Sequence, residues 1–420
     1  MPAWRATFTA IFSFKNRTTM HLHTLGLTLI LSAVSSAFGQ STLSQADLSS
    51  AALDAAIRER MDEAGIVGIG AAIVIDKQLV WSNGYGFANR EKGIRFTPDT
   101  VMNIGSISKT VTGVAMMRAV QEKKLSLDED INRFLPFKVI NPHRASQPIT
   151  LRHLATHTSS INDRWPIYEA GYHFGGDAPE RLGDFLKHYL TPSGNKYSAE
   201  NFLDTNPGEQ RNYSNIGAGL AGFVVENAVG EKLNGYTQSR IFQPLKMKNT
   251  GWFLTEIDRA KHAQLYVSQG GITFPIQNYG VPTYPDGGVR TSISDLSKLF
   301  ITLLNGGEYQ GTRILDKSIS EEMLKFQFSE ERKPQNVEVS GENASNSGLF
   351  WTTKFNGTRM GHNGSDPGIR TMMLCSLDRR VGVILFSNTS LGDEAMGSFV
   401  MIFEELWKHA EAFRDRTSDS

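Results

Sequence analysis

Strand-like segments occur near both ends of the chain, and a long helix-rich region separates them. Near the amino end, "VGIGAAIVIDKQLVWSNGYGFAN" is predicted to be a hairpin that turns near Asp76 to Gln78. Near the carboxyl end, strand patterns return at "SGLFWTTKFNGTRMGH" and continue to Asn388, before a final amphipathic helix. We therefore expect one sheet to take strands from both ends of the chain, with a helical region inserted between them.

The predicted fold class is mixed α/β, of the α+β type, with an antiparallel sheet flanked by helices and an inserted helical lobe. The chain has 420 residues, of which 40% are hydrophobic and 20% charged, so it can bury a large core. We place the domain at residues 45–412 and a disordered tail at 413–420. Within the domain, the sheet lobe is expected at about 48–124 and 289–412, and the helical lobe at about 125–288.

The charge balance bears on possible partners. Basic and acidic residues each number 43, so the chain has no net charge to attract nucleic acid or an anionic membrane surface. We therefore expect no nucleic-acid partner, and a small neutral or zwitterionic substrate fits this composition better.

The first residues resemble a secretory signal. Arg5, Lys15 and Arg17 precede "LGLTLILSAVSSAFGQS", an apolar run that ends in small residues. This pattern predicts a signal peptide at residues 1–39 and a secreted or periplasmic protein. A stable membrane anchor is not expected, because the apolar run is short and no cysteine follows it to accept a lipid. The alternatives are a retained amino-terminal helix and a true start at Met20.

Ser106 and Lys109 lie three residues apart in "NIGSISKTVTGVAMMRAVQ". Apolar residues recur there at three- and four-residue steps, which predicts a helix packed on at least one side. Residues i and i+3 share a helical face, so the lysine points toward the serine, and a buried ammonium beside a hydroxyl can activate a nucleophile. The alternative is a serine cap followed by a solvated lysine.

Tyr213 and Asn215 stand in "PGEQRNYSNIGAGLAGF", just before another apolar helix. A tyrosine near an ammonium ionises more easily, so Tyr213 could act as a base. The alternative is a loop tyrosine that packs on its neighbours, with Asn215 as the helix cap.

The third element is "RMGHNGSDPGIR", in which His362 and Gly364 end a strand segment. Glycine there lets a substrate backbone approach the sheet edge, and the N–H of Ser365 could be an oxyanion donor opposite that of Ser106. A lone His-x-Gly is more often a turn.

Second copies of two motifs test how specific they are. Ser193 and Lys196 repeat the Ser-x-x-Lys spacing in a turn, where nothing holds the side chains on one face. His173-Phe174-Gly175 repeats His-x-Gly but precedes the tyrosine element and is expected to lie outside any strand. We therefore exclude both copies from the predicted site.

In their order along the chain, the three elements resemble the serine β-lactamase and penicillin-binding superfamily. The segments "ITLRHLATHTSSI", "IFQPLKMKNTGW", "PDGGVRTSISDLSKLFITLLNGG" and "GVILFSN" are similar to its class C β-lactamase-related branch, which includes esterases and DD-peptidases. The resemblance covers about Leu48 to Trp407 and implies a β-lactamase/transpeptidase-like fold.

The resemblance also implies roles for individual residues. Ser106 would be the acylated nucleophile, and Lys109 and Tyr213 would share its proton transfer. The implied substrate contacts are Asn215, His362, Gly364 and Ser365. The N–H groups of Ser106 and Ser365 would form the oxyanion hole.

Two departures from the family pattern bear on the substrate. His362-Asn363-Gly364 stands where the β-lactamases of this branch usually have Lys-Thr-Gly, and that lysine helps to hold the carboxylate of a β-lactam. Ser160 replaces the glycine of the usual Thr-His-Thr-Ser-Gly, and His157 in the same segment is expected to be structural.

We therefore expect a secreted serine hydrolase that forms an acyl-enzyme on Ser106 and hydrolyses an ester or a D-amino-acid amide. Its expected partner is a small-molecule ester, an amide or a peptidoglycan-like peptide. The alternatives are a class C-type β-lactamase or DD-carboxypeptidase, and a penicillin-binding sensor that is acylated without turnover. No cofactor or metal is expected, because His153 and His157 lack the intervening glutamate of zinc proteases. The single cysteine, Cys375, is expected to be buried in a strand, and no oligomeric state is predicted.

Overall fold

A central antiparallel sheet joins the two ends of the chain. The structure is a computed structural model that describes residues 50–269 and 271–418. Its strands are β1 (Gly68–Ile75), β2 (Gln78–Asn89), β3 (Ile94–Arg95), β4 (Met102–Asn103), β5 (His173–Phe174), β6 (Leu265–Gln269), β7 (Ile272–Ile276), β8 (Tyr279–Gly280), β9 (Arg290–Thr291), β10 (Glu308–Tyr309), β11 (Thr312–Arg313), β12 (Thr352–Lys354), β13 (Arg359–Asp366), β14 (Ile369–Ser376), β15 (Val381–Ser387) and β16 (Thr389–Ser390). Seven strands form the central sheet in the order β12-β13-β14-β15-β1-β2-β3.

Strand β1 lies beside β15, so the first and last long strands are neighbours. Their register pairs Ile69 with Ser387 and Ile75 with Val381. Strands β1 and β2 form the predicted hairpin, with a turn at Asp76 and Lys77, both of which have positive φ. The predicted mixed fold with one sheet built from both chain ends is confirmed.

The described residues also form ten α-helices. They are α1 (Ser50–Ala64), α2 (Ser108–Gln121), α3 (Leu151–Ala155), α4 (Trp165–Glu169), α5 (Leu182–Leu190), α6 (Asn215–Val229), α7 (Leu233–Thr237), α8 (Ile293–Leu304), α9 (Lys317–Leu324) and α10 (Asp393–Ser418). No helix among them combines the length and apolar character needed to cross a bilayer.

Both faces of the sheet are covered, which explains why β1 and β15 are continuous apolar runs. Successive side chains of a strand point to opposite faces. Ile69 and Ile73 join one hydrophobic cluster with residues of α1 and α10, such as Phe403. Ala72 and Val74 join a second, larger cluster that includes residues of α2, α6 and α8.

Helix α2 lies inside the larger cluster, which sets the environment of the site. Residues from Ser108 to Met117 along this helix are all buried. A helix that is buried around most of its circumference gives a polar side chain no access to bulk water. Any lysine on it must therefore find its partners within the protein.

Some predicted details differ from the structure. Strands β6 and β7 form a hairpin that, with the parallel strand β16, makes a three-stranded sheet, although the surrounding region was expected to be helical. The final helix continues to Ser418, into residues 413–420, which were expected to be a disordered tail. His173 and Phe174 form the short strand β5, so the expectation that they lie in no strand was wrong.

The signal peptide and the domain limits remain predictions. The proposed signal peptide at residues 1–39 lies outside the described residues. The limits of the domain and of its two lobes also remain as stated from the sequence. Cys375 lies buried in β14, as expected, and burial raises the pKa of its thiol to about 12.

Candidate active site

Ser106 lies in a 3₁₀ turn, Gly105–Ile107, that leads directly into α2. Gly105 has φ of +53°, and a Cβ there would lie 3.0 Å from Ile369 Cδ1 and 3.3 Å from Gly364 Cα. Glycine is therefore required at this position by both conformation and space. The tight turn leaves Ser106 partly exposed at the amino end of the helix.

Lys109 is fully buried one turn further along. Its ammonium donates to Ser106 Oγ at 3.0 Å, to Asn215 Oδ1 at 2.7 Å and to the Asp286 carbonyl at 2.8 Å. An ammonium has three protons, and all three are used. Burial lowers the pKa of Lys109, but Tyr213 and Asp286 raise it, and the balance lies above its ordinary value. Lys109 is therefore a charged donor to the serine, not a solvated surface lysine.

Tyr213 faces the same two groups. The Lys109 ammonium lies 4.9 Å from the centroid of the Tyr213 ring. Although 42% of the residue is exposed, its hydroxyl contacts the Lys109 and Ser106 side chains. Burial of that end raises the pKa of Tyr213, whereas Lys109 lowers it, and the net direction is upward. Desolvation thus outweighs the nearby charge in the resting protein, which is the opposite of the direction expected for Tyr213 from the sequence.

A buried carboxylate holds the start of α6. Asp163 accepts hydrogen bonds from Ser214 Oγ at 2.6 Å and from the N–H groups of Asn215 at 2.6 Å and Ile216 at 3.2 Å. Ser214 is the helix cap, since its Oγ accepts from the Gly217 N–H. Asn215 is therefore not the cap, and its side chain is free to accept from Lys109. Asp163 was not predicted from the sequence, because it lies in a loop and has no local motif.

His157 also contacts the segment that carries Tyr213. Its Nδ1 accepts from the Ser214 N–H at 3.2 Å, and its ring lies 4.3 Å from the ring of Tyr213. Burial lowers the pKa of His157 well below its ordinary value, so the ring is neutral. These contacts fit the structural role that was expected for it.

Ser160, the residue that replaces the usual glycine, has φ of +61°. Its hydroxyl accepts from Asn141 Nδ2 at 3.0 Å and donates to the Ser159 carbonyl at 2.5 Å. The left-handed conformation that glycine adopts freely is thus kept here by a serine whose side chain has two partners.

Strand β13 supplies the other edge of the site. His362 is buried, and its Nδ1–H donates to the Asn363 carbonyl at 2.7 Å. Burial and nearby cations lower the pKa of His362 well below its ordinary value. Position 364 has no room for a side chain, because a Cβ on Gly364 would lie 2.3 Å from the Ile104 carbonyl oxygen. Ser365, the next residue, is exposed.

Two further cations act on His362 that the sequence analysis did not identify. Lys354 on β12 and Arg211, two residues before Tyr213, both lower its pKa through their charge. Arg211 Nη2 donates to Thr352 Oγ1 at 2.8 Å. Among the described residues, neither cation forms a salt bridge with an acid. This side of the site therefore carries uncompensated positive charge.

Two acids, Asp286 and Asp366, lie near the turn that carries the nucleophile. Asp286 and Asp366 accept hydrogen bonds from the hydroxyls of Tyr168, at 2.9 Å, and Tyr172, at 2.6 Å. Burial raises the pKa of Asp286 to about 7 and that of Asp366 to about 6. Neither acid was predicted from the sequence to belong to the site.

The excluded copies of the motifs do not form a second site. Lys196 binds Glu180 at 2.6 Å, and the Ser193 hydroxyl contacts Thr191 Oγ1 at 3.2 Å. Among the residues that the structure covers, no group of three or more histidine, cysteine or acidic side chains could hold a metal ion.

The fold is that of the serine β-lactamase and penicillin-binding superfamily. The Beta-lactamase family matches residues 53–398, and the chain belongs to this family. The chain is 23% identical over 339 residues to Protein flp of Staphylococcus aureus, a match that covers 80% of this chain and 62% of the relative. It is 30% identical over 216 residues to Esterase EstB of Burkholderia gladioli, covering 50% of this chain and 53% of the esterase.

A solved structure supports the same fold. D-amino acid amidase from Ochrobactrum anthropi, complexed with L-phenylalanine amide, superposes with a TM-score of 0.67 at 22% identity. The match covers 88% of this chain and 100% of the amidase. The chain thus spans the whole of this structural neighbour, but less than two thirds of the length of the staphylococcal relatives.

Proposed function

We propose that the protein is a serine hydrolase that forms an acyl-enzyme on Ser106 and hydrolyses an ester or a D-amino-acid amide. The observation that carries this proposal is the hydrogen bond from the buried Lys109 ammonium to Ser106 Oγ, with the Tyr213 hydroxyl in contact with both. The names of an esterase and an amidase among the proteins similar to this chain support the same reaction class.

The proton balance of the site defines the reactive state. With Lys109 and Tyr213 both protonated at rest, neither can accept the serine proton. The base is therefore the form of the pair that has lost one proton, and the two groups titrate as a unit. Ser106 Oγ attacks the acyl carbon while its proton passes to this pair.

The same pair completes the reaction. It returns the proton to the leaving oxygen or nitrogen as the acyl bond breaks, and water later adds to the acyl-enzyme and releases Ser106 with a proton. The N–H groups of Ser106 and Ser365 are the proposed oxyanion donors. The contact of Gly105 with Gly364 supports this role, because it brings the two chain segments together.

A second candidate is a peptidase or β-lactamase that binds a carboxylate on the leaving-group side. The neutral His362 alone would bind a carboxylate weakly, but Lys354 and Arg211 add positive charge beside it. A substrate carboxylate would receive charge-assisted hydrogen bonds from such cations.

Three substrates assayed in parallel test the proposal: an aryl acetate, a chromogenic cephalosporin and a D-alanyl-D-alanine peptide. We expect Ser106-dependent turnover of the acetate and slower turnover of the cephalosporin. Ser106→Ala should abolish hydrolysis, whereas the matched variant Ser193→Ala should keep it, and mass spectrometry after a fluorophosphonate probe should find the adduct on Ser106.

Other outcomes would revise the proposal. Efficient cephalosporin turnover that falls in Lys354→Met would favour the β-lactamase, and cleavage of the peptide alone would favour the DD-peptidase. A burst of acylation without turnover would instead make the protein a binding protein of the penicillin-sensor kind.

Export is also part of the proposal. Residues 1–39 have the charge and apolar pattern of a secretory signal. When the full chain is expressed in a bacterial host, the exported protein should begin at Gln40. Cytoplasmic retention with the first residues intact would reject the signal peptide.

A further inference from the structure

The Lys109 ammonium is buried, and none of the groups that bind it carries a charge. Its three protons go to the Ser106 hydroxyl, the Asn215 side-chain amide and the main-chain carbonyl of Asp286. A buried charge with only uncharged acceptors is costly, and it persists only where charges of opposite sign lie nearby. The protonated state of Lys109 therefore depends on acids that do not touch it.

Two acids are placed to supply that charge. The carboxylate of Asp286 belongs to the same residue as the carbonyl that accepts from Lys109 Nζ at 2.8 Å. Asp366 Oδ2 lies 3.1 Å from the position of a Cβ on Gly105 and 3.4 Å from that of a Cβ on Gly287. It therefore lies between the turn that precedes α2 and the residue that follows Asp286. Both acids raise the pKa of Lys109, and Lys109 in turn lowers the pKa of both acids.

The two carboxylates are held by uncharged donors. The Tyr168 hydroxyl donates to Asp286 at 2.9 Å, and the Tyr172 hydroxyl donates to Asp366 at 2.6 Å. The ring of Tyr172 also packs on those of Tyr168, at 5.9 Å, and Tyr279, at 5.2 Å. Burial raises the pKa of all three tyrosines well above its ordinary value, so they stay neutral. They fix the acids in place without compensating their charge.

Other titratable groups face the same region. His157 and His362 lie near Lys109, but burial lowers the pKa of both well below its ordinary value, so they are neutral. The buried carboxylate of Asp163 also feels the Lys109 charge, and it binds the amino end of α6. The acids face Arg290 and Arg370, both of which donate to main-chain carbonyls. All of these groups remain when one acid is replaced, so they do not change the sign of its effect on Lys109.

We propose that Asp286 and Asp366 are positioning residues that act through Lys109, because their carboxylates keep its ammonium charged and so hold the resting site in the form that cannot accept the serine proton. This inference rests on the proposed function, since it takes Lys109 and Tyr213 as the pair that receives that proton. Without one carboxylate, the pair should lose a proton to solvent at lower pH, and more of it should be ready to act as the base.

The pH dependence of kcat/KM for an aryl acetate tests the inference. We compare the full-length protein with Asp286→Asn from pH 6 to pH 9, with Ser106→Ala as the blank. The pKa of Asp286 is about 7, so the substitution changes little at pH 6 and removes a full charge at pH 9. The ratio of kcat/KM in the variant to that in the unchanged protein should therefore rise at least three-fold over this range. A fall of one unit in the pKa of Lys109 would give about ten-fold more of the base, partly offset because a weaker base accepts a proton less readily.

A second acid variant and a matched control accompany this measurement. Asp366→Asn should show the same rise at lower pH, because the pKa of Asp366 is about 6. Glu226→Gln is the control: this buried carboxylate on α6 also accepts from a tyrosine hydroxyl, that of Tyr284, but it is paired with Lys232 at 2.9 Å. Its ratio should stay constant with pH, as expected for any substitution with a purely structural effect.

A ratio that stays constant or falls with pH in an acid variant overturns the inference for that acid, and an equal rise in Glu226→Gln overturns it for both. In these cases, Ser106-dependent acetate hydrolysis still supports the proposed function. Acetate hydrolysis that Ser106→Ala does not affect would instead reject the inference and the proposed function together.

Discussion

Among single residues, the main feature of the site is that each of the three Lys109 ammonium protons has a hydrogen-bond acceptor. The three bonds reach the side chains of Ser106 and Asn215 and the main-chain carbonyl of Asp286, so truncation of either side chain leaves a buried donor unpaired.

Lys109→Ala and Tyr213→Phe should each slow acylation by about 10²–10⁴-fold, the range typical of general acid–base groups. The double variant should cost much less than the product of the two losses, because groups that serve one proton transfer act as a unit. This comparison requires the rate of labelling by a fluorophosphonate probe for the unchanged protein, the two single variants and the double variant. Losses that simply multiply would show two independent roles.

The pKa directions of the same two groups predict the pH dependence. Both values lie above the ordinary ones, so the form with one proton fewer is a minor population at pH 7 and grows about ten-fold per pH unit. We therefore expect kcat/KM for an aryl acetate, corrected with Ser106→Ala as the blank, to rise from pH 7 to pH 9. A plateau that already begins near pH 7 would contradict this assignment of the base.

Among the secondary-structure elements, α6 was predicted from the sequence, but the residue that binds its amino end was not. Short-range patterns predicted the helix and the Tyr-Ser-Asn element before it, because helical periodicity and capping are local. They could not reveal that Asp163, in a distant loop, binds this end, since a loop aspartate carries no signature of its partners. The same reason hid Asp286 and Asp366. The hairpin of β6 and β7 was missed although its Gly270-Gly271 pair is a turn signal.

Asp163→Asn should make the positions of Tyr213 and Asn215 less fixed. An amide keeps the shape but loses the charge at a helix amino end and one acceptor for N–H donors. We expect a stability loss of about 1–3 kcal/mol and a lower kcat with a smaller change in KM. Denaturant unfolding and steady-state kinetics measure the two effects.

Ser214→Ala is the matched variant, because it removes the cap but leaves the Asp163 carboxylate its bonds to the Asn215 and Ile216 N–H groups. It should lower stability and affect kcat less than Asp163→Asn does. An equal effect on kcat would mean that the carboxylate has no special part in positioning the site.

At the scale of the whole molecule, stability depends on buried acids at the site. Burial raises the pKa of Asp286 to about 7 in the folded protein, against about 3.9 in an unfolded chain. Below about pH 4, Asp286 is neutral in both the folded and the unfolded protein, and the free energy of unfolding is not reduced. As the pH rises through about 7, this part of the free energy of unfolding is lost.

Asp286→Asn should remove this loss. Relative to the unchanged protein, the variant should gain stability on going from pH 4 to pH 8 by a few kcal/mol, since each pKa unit corresponds to about 1.4 kcal/mol. Chemical denaturation at several pH values measures the difference. A constant difference between the two proteins across this range would mean that Asp286 is ionised at all of them.

The pairing of β1 with β15 has a consequence for how the chain is made. The ion pair between Asp76 and Arg380, at 2.8 Å, joins turns on the two strands that are 304 residues apart in the chain. At a synthesis rate of roughly 5–20 residues per second, the first hairpin waits about 15–60 s for its neighbour. During that time, an apolar strand that is later buried on both faces has an unpaired edge. The newly made chain is thus exposed to aggregation through the unpaired edge of β1 until β15 has been synthesised.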